Sequence, residues 1–541
     1  MLRKSIVLLF LLCCLAGGLL AQQNLGTKVL FIPLDDRPPC LQFPLRMGQI
    51  GQVNLVSPPR ELLGRFTTFG QCDAIINWIK QQDLREFDAA ILSLDMLAYG
   101  GLVASRVHAT PEAIAMQRVE IIRAIRTGNP QMKLYGSSVI MRLAPTADGK
   151  NEAYREKISK WAEVSADPSN QVQTAQLVKE IPAEALADYQ AARRRNLQVN
   201  RYALQLIKEG VLDYLILSQD DAKPKGVHIR ERESLIESSN AQGLSERVAV
   251  QPGADEVSML LLARTVSDRF AYHPKVKVIY SSEAAANQVM PFEDRPLRKT
   301  VSFHLLAVGA QEVNVVEEAD ILFYVFASRF EPQSAQNFAA LIQQQVNTKD
   351  KNPKGIIIAD VDPRGDVQGG DVPFTEALKK NGVFAKTYGY ACWNTAGNTI
   401  GTALPHGIVY GMAKTQLAAQ HKAKNISAKT SKTLSQQLLE HQSWFMLNRL
   451  LDDYTYHSLV RPEVQQAIRD KKWNTFRLTP EQTETAEQLC SEKMLPLAQS
   501  TAAQFFGKKQ RAKLSQFRFD LPWNRTFEAE IDFTLTFSKK P

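Results

Sequence analysis

Two adjacent aspartates, Asp220 and Asp221, directly follow the apolar run of residues 214–218. A strand that ends in two carboxylates places one towards a cleft and the other against the adjoining wall. Two like charges this close raise one of the two pKa values, which suits a general acid at neutral pH. The pair therefore predicts cleavage of a glycosidic bond, either directly or with an acetamido group of the substrate as nucleophile. A helix N-cap with a surface partner is the alternative interpretation.

A third carboxylate, Glu256, is the alternative catalytic acid. It ends the segment 252–256, where an apolar run gives way to a helical pattern. Asp255 as N-cap and Glu256 as a first-turn acid, favoured by the helix dipole, would explain both residues without catalysis. A cleft-facing acid or base is the functional interpretation.

Further polar residues follow other apolar runs, and their types suit sugar recognition. Arginine offers a rigid fork of donors, aspartate accepts from hydroxyl groups, and tryptophan stacks on a sugar ring beside amide side chains. The predicted substrate-binding residues are Asp35, Asp36, Arg37, Asp95, Tyr99, Arg106, Arg142, Asp360, Asp371, Trp393, Asn394 and Asn398. Internal ion pairing, capping and burial would explain the same residues without a ligand.

An Asp-rich segment at residues 360–371 begins with Asp-x-Asp but lacks the terminal glutamate of an EF-hand loop. We predict no metal ligand there. Two alternative functions stay open at this point. One is a phosphate or sulfate ester hydrolase that holds a hard cation at Asp35, Asp36, Asp360 and Asp362. The other is a non-catalytic carbohydrate-binding or envelope scaffold protein.

Several catalytic and nucleotide-binding motifs are missing from the sequence, and their absence reduces the number of enzyme classes to consider. The eight histidines never occur as HxH or HxxxH, which argues against a histidine-based zinc hydrolase. No GxSxG elbow, GxxxxGK loop or GxGxxG turn occurs, so an esterase and a nucleotide cofactor are disfavoured. We predict no cofactor, a carbohydrate or glycan as the partner, and we leave the oligomeric state open.

The net charge of +9 does not indicate a nucleic-acid partner. Residues 401–541 hold 20 basic and 13 acidic side chains, so most of the excess lies in that region. These charges follow helical patterns and do not form a basic stripe interleaved with aromatic residues. A solvated helical surface is the expected explanation.

The polar motifs must be positioned by the apolar runs that precede them. The predicted strands are residues 29–34, 53–56, 89–94, 132–140, 214–218, 248–251, 276–281, 313–316, 321–326, 355–359 and 383–388. Helical patterns such as 72–82, 111–126, 182–209 and 255–267 alternate with them. This alternation predicts an α/β fold of parallel βα units, with a barrel-like or doubly wound core. The carboxyl ends of parallel strands share one face, so Asp35, Asp95, Arg142, Asp220, Asp360 and Asn394 should line one cleft.

The chain divides into four predicted segments. Residues 1–21 read as a signal peptide, with two basic residues, an apolar stretch and small residues before Gln22. This predicts an extracytoplasmic protein without an integral membrane segment, and a lipoprotein is disfavoured. Residues 22–295 should form the first α/β domain and 296–400 a second α/β segment. Residues 401–541 should be helical (405–420, 433–452, 462–471, 480–503) with a closing β-hairpin at 517–537, from which Trp523 and Arg525 reach back.

Several long motifs resemble bacterial domain-of-unknown-function family 4127. They are residues 32–38 (IPLDDRP), 93–101 (SLDMLAYGG) and 389–401 (GYACWNTAGNTIG), and the blocks at 219–221, 293–296 and 522–525 fit the same pattern. The resemblance spans nearly the whole chain after the predicted signal peptide. It implies no activity, so the chemistry must be argued from the residues themselves.

Overall fold

A computed structural model describes residues 26–350, 352–423, 426–506 and 511–538. The predicted signal peptide lies outside these ranges. Among the residues described, no helix combines the length and the apolar character that a membrane crossing requires. The four cysteines in these ranges are buried thiols, and none forms a disulfide there.

The first sheet has six parallel strands in the order β2-β1-β3-β4-β5-β6. These strands are β1 (Thr27–Ile32), β2 (Val53–Val56), β3 (Ala89–Ser93), β4 (Lys133–Ile140), β5 (Tyr214–Gln219) and β6 (Val248–Pro252). β1 pairs with β2 from Thr27 opposite Val53 and with β3 from Val29 opposite Ala89. The predicted parallel α/β fold is confirmed. The sheet is open, with β2 and β6 at its edges, so the doubly wound alternative describes it and a closed barrel does not.

The second sheet has five parallel strands in the order β11-β10-β9-β7-β8. They are β7 (Lys275–Tyr280), β8 (Gln311–Glu312), β9 (Ile321–Phe326), β10 (Gly355–Asp360) and β11 (Gly389–Ala391). β3, β5, β9 and β10 are buried along their whole length, as expected when helices cover both faces of a parallel sheet. The predicted domain boundary between residues 295 and 296 stays a prediction. β7 precedes that boundary in the chain but belongs to the second sheet.

Helices connect the strands and complete both layers. Between β1 and β7 they are α1 (Gln42–Ile50), α2 (Cys72–Lys80), α3 (Leu94–Tyr99), α4 (Leu102–Ser105), α5 (Glu112–Val119), α6 (Ile121–Gly128), α7 (Arg155–Val164), α8 (Gln171–Glu180), α9 (Ala183–Lys208), α10 (Val227–Ala241) and α11 (Val257–Phe270). After β7 they are α12 (Glu283–Asn287), α13 (Leu297–Ala307), α14 (Ser334–Val346), α15 (Val372–Lys380), α16 (Ala396–Lys422), α17 (Ala428–Arg449), α18 (Arg461–Asp470) and α19 (Pro480–Phe506).

Two helices join the sheets to each other. Because crossovers between parallel strands are right-handed as a rule, the strand order assigns α1 to one face of the first sheet and the helices that follow β2 to β5 to the other. α11 packs on the α1 face against β3 and β4, and α16 packs against β10 and β11 of the second sheet. α11 and α16 also contact each other. The carboxyl ends of β6 and β11, where these helices begin, are thereby brought together.

The C-terminal region is helical, as predicted, and it ends in the predicted hairpin. The antiparallel strands are β12 (Arg511–Asp520) and β13 (Glu530–Ser538). Acidic residues at alternate positions in and before β13 bind arginines that follow β1 and β2: Glu528 binds Arg37, Glu530 binds Arg60 and Asp532 binds Arg46. Trp523 reaches back as predicted, because its Nε1–H donates to Asp36 at 2.7 Å.

Two predicted strands are wrong. Residues 313–316 form turns after the two-residue strand β8. Residues 383–388 contain a 3-10 turn, and the strand begins only at Gly389. A Cβ at Gly389 would lie 2.2 Å from the Ala403 carbonyl oxygen, so glycine allows the strand to approach α16 closely.

Two helix boundaries also differ from the prediction. The helix predicted from Pro405 begins at Ala396, and Pro405 lies inside it. Thr395 explains the earlier start, because its hydroxyl accepts a hydrogen bond from the Asn398 backbone N–H and caps the helix. The helix predicted over residues 111–126 is divided at Glu120 into α5 and α6.

Candidate active site

Asp220 and Asp221 lie at the carboxyl end of β5 in different environments. Asp220 is 5% exposed, and its Oδ2 accepts hydrogen bonds from Arg106 at 2.6 and 3.1 Å. Burial and the charge of Asp221 raise the pKa of Asp220, although Arg106 and Arg142 oppose the shift. The Asp221 side chain is 37% exposed and binds Arg142 at 2.6 Å. The pair therefore consists of one buried and one accessible carboxylate, each held by its own arginine.

Arg142 lies in the loop after β4 and is held by two hydrogen bonds. The backbone oxygen of Arg142 accepts a hydrogen bond from Arg193, and the Nε–H of Arg142 donates to the Ala144 carbonyl oxygen. Burial lowers the pKa of Arg142, but the nearby carboxylates of Asp221, Asp220 and Asp255 more than offset this. The arginine therefore stays cationic beside the aspartate pair.

The backbone conformation of Asp221 is a second observation that indicates a functional site. Its φ angle is 38°, a left-handed conformation that residues other than glycine rarely adopt. Such strain persists where the surrounding structure enforces it, and it concentrates at functional sites. Arg106, which binds Asp220, also borders a surface cavity of about 450 Å³.

Arg37 is the centre of a separate buried ion cluster after β1. It binds Asp35 at 2.7 Å, Asp255 at 2.6 Å and Glu528 at 2.9 Å, and it lies 4.6 Å from the centre of the Trp523 ring. The strand order of the sheet reverses at β1 and β3, where doubly wound proteins commonly bind ligands. Here the cluster and the C-terminal tail fill that crevice. The predicted binding residues Asp35, Asp36 and Arg37 are therefore engaged with protein groups.

Glu256 lies where the two sheets meet. It is fully buried, and its Oε2 accepts a hydrogen bond from the Asn398 side chain at 2.8 Å. Its Oε1 lies 3.5 Å from His304 Nε2. Asn398 in turn accepts a bond from Asn394, whose φ is 55°. These contacts join the ends of β6 and β11 in one polar network.

Asp255 is not the N-cap of α11, contrary to the prediction. The N-cap position is Glu256, and its side chain makes no capping bond. The Asp255 carboxylate binds Arg37 instead. The charge of the arginine is the physical reason, because an ion pair with two hydrogen bonds, at 2.6 and 3.3 Å, outweighs a single capping bond.

Glu293 is a buried carboxyl beside Glu256 that the residue patterns did not single out. It is 2% exposed and accepts hydrogen bonds from the Gly397 backbone N–H at 2.9 Å and from Thr300 at 3.3 Å. Burial, followed by the charges of Glu256 and Asp221, raises the pKa of Glu293 to about 8. The only sequence signal for it was the motif at residues 293–296.

We expect Gly401→Ala to lower the free energy of unfolding by about 1–3 kcal/mol, because the new methyl group overpacks a buried carboxyl. A Cβ at Gly401 would lie 2.1 Å from Glu256 Cγ. Without a clash, alanine in a helix would be stabilising by ~0.5–1 kcal/mol. Urea unfolding of the single variant and of Gly401→Ala combined with Glu256→Gly tests this, because the new methyl group would lie 2.8 Å from Glu256 Cβ as well. An equal cost of the alanine in both backgrounds would contradict the overpacking.

Three further predicted binding residues are buried. Asp95 is 1% exposed, accepts a bond from the Val139 backbone N–H, and has a pKa that burial raises to about 7. Tyr99 is 3% exposed and packs under Arg195. Trp393 donates to Thr402 and contacts the ring of Phe43 edge-on.

Asp360 and Asp371 belong to the second sheet. Asp360 is buried, binds Arg329 at 2.9 Å and accepts a bond from the Asp371 backbone N–H. The Asp371 carboxylate caps α15 by accepting a bond from the Phe374 N–H. The neighbouring Asp362 accepts bonds from three backbone N–H groups. Among the residues described, no three His, Cys, Asp or Glu side chains form a group that could hold a metal ion.

The strand-end residues form several contact groups, and the single cleft that they are expected to line stays a prediction. One chain of contacts runs from Asn394 through Asn398 to Glu256, and Asp255 next to it contacts Arg37. Asp220, Asp221, Arg106 and Arg142 form the group with the most accessible carboxylate, while Asp360 contacts residues of the second sheet.

Comparisons with known proteins give a family but no activity. No curated protein matches the chain in sequence. A solved structure of an endo-fucoidan hydrolase from glycoside hydrolase family 107 is similar at 10% identity and a TM-score of 0.19. The similarity covers 55% of this chain and about half (49%) of that one, and it is too weak to support an argument. The family described as "Protein of unknown function (DUF4127)" matches residues 29–532, as the motifs predicted, and the chain therefore belongs to that family.

Proposed function

We propose that the protein is an exported hydrolase that cleaves glycosidic bonds with Asp220 and Asp221. The observation that carries the proposal is the environment of the pair. Adjacent carboxylates at the end of a parallel strand differ in exposure, burial raises the pKa of Asp220, and Arg106, which binds Asp220, borders a cavity. A carboxyl with a raised pKa beside an accessible carboxylate is the arrangement that acid-assisted glycoside cleavage needs.

The two carboxylates have different roles in this proposal. Asp220 donates a proton to the leaving oxygen, since its raised pKa favours the protonated form. Asp221 faces the substrate and stabilises the positive charge that develops on the sugar ring as the bond to the leaving oxygen breaks. A water molecule then attacks that ring carbon and returns a proton to Asp220. Arg106 and Arg142 fix the two side chains, and the positive φ of Asp221 turns its carboxylate away from the regular strand direction. Glu256, the alternative acid, has no access to solvent and supports the network between the sheets.

Leaving-group dependence tests the assignment of the acid. We expect Asp220→Asn to reduce kcat/KM by about 100-fold on glycosides with poor leaving groups, which need a proton, and much less on activated aryl glycosides. Asp221→Asn should reduce both rates alike, because charge on the ring develops with either leaving group. A panel of aryl glycosides and cell-wall fragments supplies the substrates.

Asp73→Asn is the matched control, because Asp73 is an exposed aspartate also bound by two N–H groups of one arginine, Arg118. It should leave activity unchanged. Wild-type rates for both Asp220→Asn and Asp221→Asn would end the proposal. Stabilisation by a glycan without turnover would instead favour a binding protein.

The hard-cation alternative gains no support from the geometry. Its four aspartates are engaged by protein donors: Asp35 by Arg37, Asp36 by Trp523, Asp360 by Arg329, and Asp362 by backbone N–H groups. An arginine beside a carboxylate also repels a cation. We therefore propose no second function.

A further inference from the structure

The cavity that Arg106 borders is negatively charged. Its other charged lining residues are Asp148, Glu184 and Asp188. These three acidic side chains outnumber Arg106, the one cation among the described residues that line the cavity. Burial and the surrounding carboxylates raise the pKa of Tyr154, another lining residue. In the described part of the chain, Asp148 and Asp188 accept bonds from backbone N–H groups and form no ion pair.

A second observation points to a hydrogen-bond donor in the ligand. Asn151 lines the same cavity and is 7% exposed. Its Nδ2 donates to the Thr146 carbonyl oxygen at 2.7 Å. Its Oδ1 is buried and has no partner among the residues that the structure describes. A buried acceptor without a donor is costly, so a donor from a ligand would stabilise this loop.

We propose that the cavity binds a protonated primary amine of the substrate, and that the glycan cleaved by this protein is an amino-sugar polymer with free amino groups. This inference rests on the proposed function and names its substrate class. The ammonium group donates to Asn151 Oδ1 and to the Tyr154 hydroxyl oxygen, and the charges of Asp148 and Asp188 attract it. A neutral acetamido group gains nothing from those charges. A protonated amine has no free lone pair, so cleavage follows the direct route through the two carboxylates.

Calorimetric titration with a glucosamine tetramer and an N-acetylglucosamine tetramer tests the proposal. We expect the wild-type protein to bind the glucosamine tetramer more tightly, and added salt to reduce the preference. The double variant Asp148→Asn with Asp188→Asn should bind that tetramer about tenfold more weakly, and its affinity for the acetylated tetramer should not change. Asparagine keeps the oxygen that accepts the local backbone bond, so the melting temperature should stay the same.

The double variant Asp83→Asn with Asp470→Asn removes the same charge from exposed sites elsewhere and serves as the control. An equal loss of affinity in this control, or equal wild-type affinity for both tetramers, overturns the proposal. Tighter binding of tetralysine than of the glucosamine tetramer also overturns it, in favour of a basic peptide. If the glucosamine tetramer binds and no glycan is cleaved, the proposed function fails and the amine site stands. If neutral glycans are cleaved without preference for amines, the amine site fails and the function stands.

Discussion

Replacing Arg37 with alanine should lower the free energy of unfolding by about 3–5 kcal/mol, the cost of removing one partner from a buried ion cluster. Arg37 is 3% exposed and binds the carboxylates of Asp35, Asp255 and Glu528. Without the guanidinium group the buried carboxylates of Asp35 and Glu528 and the partly buried carboxylate of Asp255 face one another with no cation between them. The cluster joins the ends of β1 and β6 to the C-terminal tail, so its loss should also loosen the hairpin.

Urea unfolding measures the change, and Arg46→Ala is the matched control. Arg46 also links the α1 region to the hairpin and also lies over a tryptophan, Trp444, but its side chain is 31% exposed and has one partner, Asp532. We expect it to contribute at most ~1 kcal/mol. Arg37→Lys keeps the positive charge but loses the planar guanidinium group that binds several carboxylates at once. Its loss of stability should therefore lie between those of Arg37→Ala and Arg46→Ala. Equal losses for Arg37→Ala and Arg46→Ala would contradict the role of the buried cluster.

The strands that the sequence predicts well are those with continuous apolar runs. β5, β9 and β10 are buried on both faces, so their composition reflects burial directly. The prediction fails for residues 383–388, where Val383 and Phe384 are buried although the backbone is not a strand. An apolar run predicts that residues are buried but not that they form a strand. Here the close contact between Gly389 and a helix determines where the strand begins. That contact involves α16, whose position no local pattern contains.

The sequence predicts the residues of the candidate site better than it predicts their pairing. Asp220 and Asp221 follow a clear apolar run, and Arg106 and Arg142 are among the predicted substrate-binding residues. The structure shows that the two arginines bind the aspartates, although Arg106 is 114 positions from Asp220 and Arg142 is 79 positions from Asp221. No local pattern contains these pairings. The sheet order, which places β3 next to β4 and β4 next to β5, accounts for them.

Burial decided several assignments that residue type could not. Trp393 is the type of residue that stacks on a sugar, yet its ring packs against Phe43 in the core. Asp95 follows a strand as Asp221 does, but Asp95 is 1% exposed, whereas the Asp221 side chain is 37% exposed, because the short helix α3 begins directly after β3 and turns Asp95 inward. A polar residue at a strand end is therefore predicted to lie at the carboxyl ends of the strands. The length of the loop that follows decides whether its side chain is exposed to solvent or buried in the core.

The free energy of unfolding should depend strongly on pH because of Glu293. Its folded pKa is about 8, raised from an ordinary value of 4.5 by burial and by the charges of Glu256 and Asp221. Between these two pH values the folded state keeps a proton that the unfolded state has lost. Stability from this group is therefore complete below about pH 4.5 and falls by ~1.4 kcal/mol per pH unit as the pH rises towards 8. Above the folded pKa the glutamate is ionised in both states, and the contribution is lost.

Glu293→Gln tests this prediction, because glutamine imitates the protonated carboxyl and can still accept the bond from the Gly397 backbone N–H. Relative to the wild type, the variant should gain about 3–4 kcal/mol of stability between about pH 5 and pH 8, measured by urea unfolding at each pH. The exposed control Glu283→Gln, whose side chain is 80% exposed, should run parallel to the wild type. Parallel curves for Glu293→Gln as well would show that Glu293 titrates normally. The buried network between the sheets would then hold Glu293 ionised at neutral pH, against the direction that burial beside Glu256 imposes.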